Sequence, residues 1–195
     1  EFNVDGNAGR PQVAYRETIL GPIDHEYRHV KQTGGRGQYA HAVFRVEPTD
    51  PGTGFQFEDK ITGGKITREF LAAIERGIVE EMSEGPYAGF PMVNIKVTVV
   101  DGSMHDVDSS EQAFRTCGRM GFREACLSTG LELLEPVMSV EVTVPEEHTG
   151  AITSSLCSKR GSVLGMEVKA TGAILQGRVP LAEMFGYASE LRNLT

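Results

Sequence analysis

The sequence has no apolar run that approaches the roughly 20 residues a membrane-spanning helix requires, and no signal peptide opens it. Of its 195 residues, 39% are hydrophobic and 24% are charged, as is ordinary for a soluble globular protein. We therefore expect a cytoplasmic protein with no membrane partner. Because the first residue is Glu1 rather than Met, we also expect an excised piece of a longer protein.

Cysteine is scarce as well. Cys117, Cys126 and Cys157 are odd in number and show no metal-ligand spacing. This usage favours reduced thiols in a cytoplasm. We predict that all three are buried and inert, and we predict no metal site.

An excess of positive charge is also missing. The net charge of -8 argues against a protein that coats RNA or DNA by bulk attraction, because such proteins neutralise phosphates with Lys and Arg. Any nucleic-acid contact must therefore be local. Residues 25–45 differ from the rest, since they hold three of the five histidines and four basic residues against Glu26 alone. A solvated face and a local contact both remain open for this stretch. Its basic residues are Arg28, Lys31, Arg36 and Arg45.

Periodic apolar residues predict the main elements. Alternation at residues 42–46, 93–99 and 138–144 indicates strands with one buried face. Residues 67–84 have apolar residues at helical spacing and end at Gly85-Pro86, so they predict an amphipathic helix. A second helix is predicted to begin at a capping box in which Asp108 accepts an amide hydrogen bond and Glu111 reaches back, and to run to about Ser128.

A domain boundary is predicted within residues 131–136, which are short, contain a proline and precede a new strand. This divides the chain into residues 1–131 and 132–195. The second part is predicted as strand (137–144), helix (146–158), strand (162–168), strand (173–179) and helix (181–191). That order is a ferredoxin-like split β-α-β arrangement without its fourth strand.

Three arginines, Arg115, Arg119 and Arg123, lie four residues apart and share one face of the second helix. A solvated face and contact with an RNA backbone both explain such a row. Exposed helices commonly carry arginines in this way, so we favour the solvated face.

Residues 25–29, HEYRH, match the pattern in which two histidines one helical turn apart bind zinc and a glutamate acts as base. The match requires a helix, yet Gly21-Pro22 and Gly34-Gly35 leave about eleven residues between helix breakers. On a strand His25 and His29 would be roughly 13 Å apart and could not share a metal. We predict a polar strand and no catalytic residues.

Residues 63–65, Gly-Gly-Lys, resemble the end of a phosphate-binding loop. The hydroxyl position holds Ile66 and the first glycine position holds Asp59. A turn that leads into the helix is the prediction, with no bound nucleotide.

Two polar segments offer chemistry for RNA contact, which we name loop one (residues 33–39) and loop two (residues 101–110). In loop one, three glycines allow close backbone approach, Arg36 can bind phosphate and Tyr39 can stack on a base, although a plain hairpin loop is the alternative. In loop two, His105 could serve a metal or act as a base. Asp108 can cap the following helix, and Asp106 can add negative charge near its positive end. Because these acids have a structural use, the residues alone predict that His105 is a plain loop histidine.

Five strings resemble those of bacterial elongation factor G in the family's order: PQVAYRET (11–18), GGRGQY (34–39), HDVDSSE (105–111), LEP (134–136) and VPLAEMFGYA (179–188). The resemblance aligns residues 1–131 with the fourth domain and 132–195 with most of the fifth. It implies an α+β chain with a ribosomal-protein-S5-like β-α-β domain that contains a left-handed crossover, followed by a ferredoxin-like domain that lacks its last strand.

The family's fourth domain reaches the decoding site of the small ribosomal subunit and holds tRNA and mRNA in register during translocation. The resemblance therefore implies an RNA-contacting tip, in which His105 corresponds to the family's important tip histidine and Arg28 and Lys31 are auxiliary basic residues. The fifth domain is expected near large-subunit rRNA and the stalk base, and no DNA partner is expected. The tip residues implied are Gly34, Gly35, Arg36, Gly37, Gln38, Tyr39, Ser103, Met104, His105, Asp106, Val107 and Asp108.

The family's nucleotide-binding domain has no counterpart in these residues, so the resemblance implies no GTPase activity for this chain. GTP and Mg belong to the intact parent, and no cofactor is expected here. His25, His29 and the run Ala40-His41-Ala42 are not typical of the family, nor is Ala170-Thr171. These departures leave open a paralogue specialised for ribosome recycling.

Overall fold

The computed structural model describes residues 12–32, 37–169 and 172–195. These residues divide into two compact units, of which the first is Tyr15–Leu134 and the second includes Glu135–Thr195. The division lies between Leu134 and Glu135, inside the segment where the sequence places a boundary. Residues 131–134 are themselves a strand of the first unit rather than a linker.

The first unit is built on a four-stranded sheet with the order β2-β3-β5-β4. Strand β4 is parallel to β5, and the other neighbouring strands are antiparallel. A separate antiparallel pair joins β1 to β6. The strands are β1 (Arg16–Ile19), β2 (Ile23–Lys31), β3 (Gln38–Pro48), β4 (Phe55–Asp59), β5 (Ile95–Ser103) and β6 (Leu131–Leu134).

Helix α1 (Arg68–Glu84) connects β4 to β5 and forms a β-α-β unit with them. Its N-cap is Thr67, whose hydroxyl accepts a hydrogen bond from the Phe70 amide, and it ends at Gly85 with φ +51°. The predicted helix is therefore confirmed. A parallel strand pair requires such a crossover, because a tight turn can only join antiparallel strands.

Helix α2 (Glu111–Thr129) begins at a different cap from the one predicted. The Ser110 hydroxyl, not the Asp108 carboxylate, accepts the hydrogen bond from the Ala113 amide. Glu111 does not reach back, since its carboxylate pairs with Arg76 at 2.8 Å. The capping-box prediction is wrong because the chain offers several capping residues in a row, and the path of loop two selects Ser110.

Both helices pack on one face of the sheet, as the apolar alternation predicts. Fully buried side chains come from β3 and β5 and meet Ile74 and Ile78 of α1 and Phe114 and Phe122 of α2. The helices touch through glycines: a Cβ on Gly118 would lie 2.4 Å from the Ile74 carbonyl oxygen. The fully buried strand residues of this core include Ala42, Phe44, Val46, Ile95, Val97 and Val99.

A buried carboxylate fixes the connection that follows α1. Glu17 of β1 is fully buried and accepts hydrogen bonds from the amides of Tyr87, Ala88 and Phe90. Three amide donors replace the water that this charge loses. Glu17 therefore orders residues 87–90.

The second unit is a three-stranded antiparallel sheet with the order β7-β9-β8. Its strands are β7 (Val137–Val144), β8 (Ser162–Lys169) and β9 (Gly172–Pro180), and a 3-10 turn (Glu146–His148) precedes helix α3 (Thr149–Ser158). Because β9 lies between β7 and β8, the connectivity is the predicted split β-α-β type. The α+β class is thus confirmed in both units.

The last predicted helix is two helices, α4 (Leu181–Met184) and α5 (Tyr187–Leu194). Gly186 between them adopts φ +80°, a left-handed conformation that interrupts a right-handed helix. The prediction of one helix over residues 181–191 is wrong at this glycine.

The cysteines do not share one environment. Cys117 and Cys126 are buried, and burial raises the pKa of the Cys117 thiol to about 12 and that of Cys126 in the same direction. Cys157 is exposed on α3, so the prediction of burial is wrong there. Among the helices of the described ranges, none is both long and apolar enough to cross a membrane.

Candidate nucleic-acid interface

Loop one and loop two are brought together at one end of the first unit. The Tyr39 amide donates to the Asp108 carbonyl oxygen at 2.9 Å, and the Ser109 hydroxyl donates to the Tyr39 carbonyl oxygen at 2.8 Å. Gly37 permits this approach, because a Cβ there would meet the Asp108 carboxylate at about 3.1 Å. We call the described parts of the two loops, with the adjoining ends of β3 and β5, the tip.

His105 is held by the backbone of its own loop. Its Nδ1 accepts hydrogen bonds from the amides of Val107 (3.3 Å) and Asp108 (3.2 Å), and its own amide donates to the Ser109 hydroxyl at 2.9 Å. A nitrogen that accepts carries no proton, so the neutral ring carries its proton on Nε2. The Asp108 carboxylate is 3.6 Å from Nδ1, too far for a hydrogen bond.

The His105 side chain is exposed to solvent. Its exposed fraction is 55%, and its ring centroid lies 6.1 Å from that of Tyr39 at an interplanar angle of 54°. An imidazole oriented by two amides and flanked by an aromatic ring is a fixed hydrogen-bond donor. Such a group can contact RNA without adding net charge.

A chain of polar contacts beneath the tip joins three strands: hydrogen bonds link β3 to β5, and an ion-pair contact links β3 to β2. The Tyr39 hydroxyl and the Ser103 hydroxyl share a bond of 2.8 Å, and Ser103 shares another of 2.9 Å with Nδ1 of His41. His41 is 12% exposed, and its Nε2 lies 3.0 Å from a Glu26 carboxylate oxygen. The chain holds the Tyr39 ring in place and so supports the contact surface.

His41 and Glu26 were missed as contributors to the tip by sequence reasoning. His41 stood out only as a departure from the family pattern. One signal was available: alternation along residues 38–46 puts His41 on the face opposite the buried Ala42, where a half-buried imidazole needs polar partners.

The basic residues near the tip are largely neutralised within the protein. Arg28 donates to Glu26 at 2.9 Å and Lys65 to Asp101 at 2.7 Å. Arg28 lowers the pKa of the Glu26 carboxyl, and Lys65 lowers that of Asp101. The cleft beside these pairs therefore has mixed charge and is not a basic groove. It is open, has a volume of 540 Å³, and is lined by residues that include Arg28, Lys65, Asp101, Tyr39, His41, Met104 and Asp106.

The predicted tip residues fall in different settings. Gly34, Gly35 and Arg36 lie outside the described residues. Residues 101–103 belong to strand β5 rather than to a loop, and Ser103 is the last residue of that strand. Residues 104–108 form loop structure, and Met104, His105, Asp106 and Val107 are all at least partly exposed.

Residues at the start of β3 and in β2 complete the predicted set. Gln38 opens β3 and accepts a hydrogen bond from Nε2 of His29 at 2.8 Å. Arg28 and Lys31 lie on β2, and Lys31 is exposed. Among the described residues no ion pair is formed by Lys31, which leaves its charge available.

The zinc alternative fails on geometry. Residues 25–29 lie in strand β2, as predicted, and their two histidines have separate partners. His25 Nε2 is 3.4 Å from Glu124, whereas His29 binds Gln38. The glycine pair at 63 and 64 is a turn with φ values of +76° and +67°, again as predicted.

The arginine row on α2 is an exposed face whose members pair with acids, and the side chains of Arg115, Arg119 and Arg123 are 49%, 46% and 43% exposed. Arg115 pairs with Glu80, Arg119 with Glu81 and Glu84, and Arg123 with Glu81, all on α1. The favoured prediction of a solvated face is therefore confirmed, and contact with an RNA backbone stays a prediction. The row faces a row of acids on the neighbouring helix, and spacing along one helix cannot reveal what faces it.

Comparison with known proteins identifies two matching family models and a similar crystal structure. The family model "Elongation factor G, domain IV" matches residues 11–130, and the model "Elongation factor G C-terminus" matches residues 132–195. A crystal structure of a protein from Thermus thermophilus is 39% identical with a TM-score of 0.85. The match covers 96% of this chain but only 28% of that one.

Proposed function

Because this chain belongs to the elongation factor G family, we propose that it is a ribosome-binding part of a translation factor that promotes movement of tRNA and mRNA. In this proposal the tip enters the decoding site of the small subunit. The second unit contacts large-subunit rRNA and the stalk base. Hydrolysis of GTP, with its Mg, would take place in domains of the longer protein.

The observation that carries the proposal is the rigid tip with one exposed donor. Backbone bonds join the two loops, Ser103 and His41 fix Tyr39 from below, and two amides orient His105. A preorganised contact loses little conformational entropy on binding. The tip therefore acts as a wedge that holds RNA by position and serves neither as an acid nor as a base.

The charge distribution of the chain favours RNA contact by shape and hydrogen bonding rather than by bulk electrostatic attraction. The chain carries -8, and Arg28 and Lys65 are already paired with carboxylates. Phosphate contacts by Lys and Arg produce steep salt dependence. The contribution of His105 should therefore depend only weakly on salt, whereas Lys31 and Arg36, the other residues expected to donate, should each add salt dependence where they contact phosphate.

The test replaces the matching part of a full-length elongation factor G with this chain. His105→Ala is expected to slow translocation about tenfold, the effect of losing one well-placed hydrogen bond in the rate-limiting state. His105→Gln, whose amide can still donate, should retain part of the rate. Adding Arg36→Ala to His105→Ala should slow it further.

His148→Ala is the matched control, because this histidine lies in the second unit and is partly exposed. An unchanged rate in the double variant of His105 and Arg36 would refute the wedge. Light scattering on the same samples measures ribosome splitting and so tests the recycling alternative. Ribosome splitting without translocation would assign the chain to that role instead.

A further inference from the structure

We propose that the second unit has an oxyanion site for one phosphate group, formed by Ser139, Arg178 and Ser162. Strand register places the three in one row. Ser139 of β7 is directly opposite Arg178 of β9, and Arg178 is directly opposite Ser162 of β8. Opposite residues share a face and neighbouring strands are about 4.8 Å apart. A serine therefore lies on each side of the base of the Arg178 side chain.

The row lies on the face of the sheet that the core does not use. Along β9, Leu175, Gly177 and Val179 are buried, while Gln176 and Arg178 alternate with them and are exposed. Ser139 and Ser162 are exposed as well. All three members of the row line one open cleft of 730 Å³, which gives a ligand room to enter.

Glu135 and Arg160 line the same cleft and are paired with each other, which leaves the charge of Arg178 available. Arg160 binds Glu135 through two hydrogen bonds of 2.6 and 3.1 Å and Glu183 through a third of 3.1 Å. In the next row of the sheet Gln176 donates to Glu141 at 3.2 Å. Within the described ranges, Arg178 itself takes part in no hydrogen bond or ion pair.

This donor set suits a tetrahedral oxyanion. A guanidinium can bind two phosphate oxygens with parallel hydrogen bonds, and each serine hydroxyl can donate to a further oxygen. A phosphodiester of an RNA backbone and a free phosphate ion share this chemistry. The site is in a different unit from the tip, so it can fail or succeed independently of the wedge.

The experiment uses the whole chain and two probes, inorganic phosphate and a fluorescent RNA hairpin of about 12 nucleotides. In NMR titrations the Arg178 Nε–H signal should shift with phosphate. In anisotropy titrations Arg178→Gln should weaken RNA binding about tenfold and reduce the slope of log K against log salt by about one. The double variant Ser139→Ala with Ser162→Ala should lower RNA affinity about threefold. Arg178→Lys should leave the salt slope unchanged but lower RNA affinity severalfold.

The matched control is Arg192→Gln, which removes the same charge from an exposed position on α5. Equal weakening by Arg192→Gln and Arg178→Gln would overturn the site in favour of general charge attraction. Failure of both probes to shift the Arg178 signal would overturn it as well. A shift with phosphate alone would support the site and assign it to small anions.

Discussion

The α1–α2 interface and the tip both place basic or imidazole side chains against carboxylates, yet the two regions use them differently. At the interface, Arg119 and Arg123 converge on Glu81, which is 1% exposed. At the tip, Arg28 and Lys65 are paired with carboxylates, but His105 remains 55% exposed. Side chains that look most like an RNA surface in the sequence are therefore paired with acids of α1, and the exposed histidine lies in a loop whose other charged residues are Asp101, Asp106 and Asp108.

The difference shows that charge type alone is a poor guide to a nucleic-acid surface. An arginine contributes to RNA affinity through the charge it has left after internal pairing. At the interface the acids on α1 match the arginines on α2 side by side. Changes at the interface should accordingly affect stability, and changes at the tip should affect RNA contact.

The largest effect should come from Gly118→Ala at the centre of the interface. The new Cβ would lie 2.4 Å from the Ile74 carbonyl oxygen and 2.9 Å from its Cα, so the helix backbones must separate. We expect a loss of about 3 kcal/mol in the free energy of unfolding of the first unit, as for other overpacked cores. Hydrogen exchange of α1 and α2 amides, read by mass spectrometry, measures this.

Gly150→Ala is the control, since a Cβ on that helical glycine meets nothing within 4 Å. It should be neutral or slightly stabilising. Equal protection of α1 and α2 in wild type and Gly118→Ala would show that the two helices are not held in close contact.

Glu81→Gln should have the next largest effect. The carboxylate accepts hydrogen bonds from Arg119 (3.0 Å) and Arg123 (2.7 Å), and glutamine keeps its shape without its charge. We expect a loss of about 2 kcal/mol in the stability of the first unit, the scale of hydrogen bonds to a charged group. Urea unfolding followed by circular dichroism tests this, with Glu84→Gln, an exposed neighbour, as the milder comparison. Identical urea midpoints for wild type and Glu81→Gln would contradict a structural role for the pair.

The strands and helices of the first unit were predictable because their sequence signals are local. The apolar alternation of β3 and β5 and the helical spacing along α1 need only a few consecutive residues to be visible. Pairing between Glu81 and Arg119 joins residues 38 positions apart in the sequence. An acid row at residues 80, 81 and 84 was visible, but which helix it would face depends on tertiary packing.

The candidate site was only partly predictable for the same reason. Loop composition alone predicted His105 to be a plain loop histidine, and only the family resemblance gave it a role. Capping was misassigned, because Asp108 and Ser110 are equally good cap residues and only the path of loop two distinguishes them. Ser103 and His41 meet across 62 positions, which no local pattern reports.

The smallest effect should come from Arg115→Gln, and this change tests the comparison most directly. Arg115 belongs to the row that resembles an RNA surface, but its guanidinium pairs with Glu80 on α1, and that carboxylate raises the pKa of Arg115. Exposed ion pairs contribute little, so the urea midpoint should be unchanged within error. Ribosome affinity of the full-length chimera should change by less than about twofold, because this charge is already neutralised. A severalfold loss of affinity with normal stability would mean that the row does contact RNA, and the separation between a packing interface and a contact tip would then be wrong.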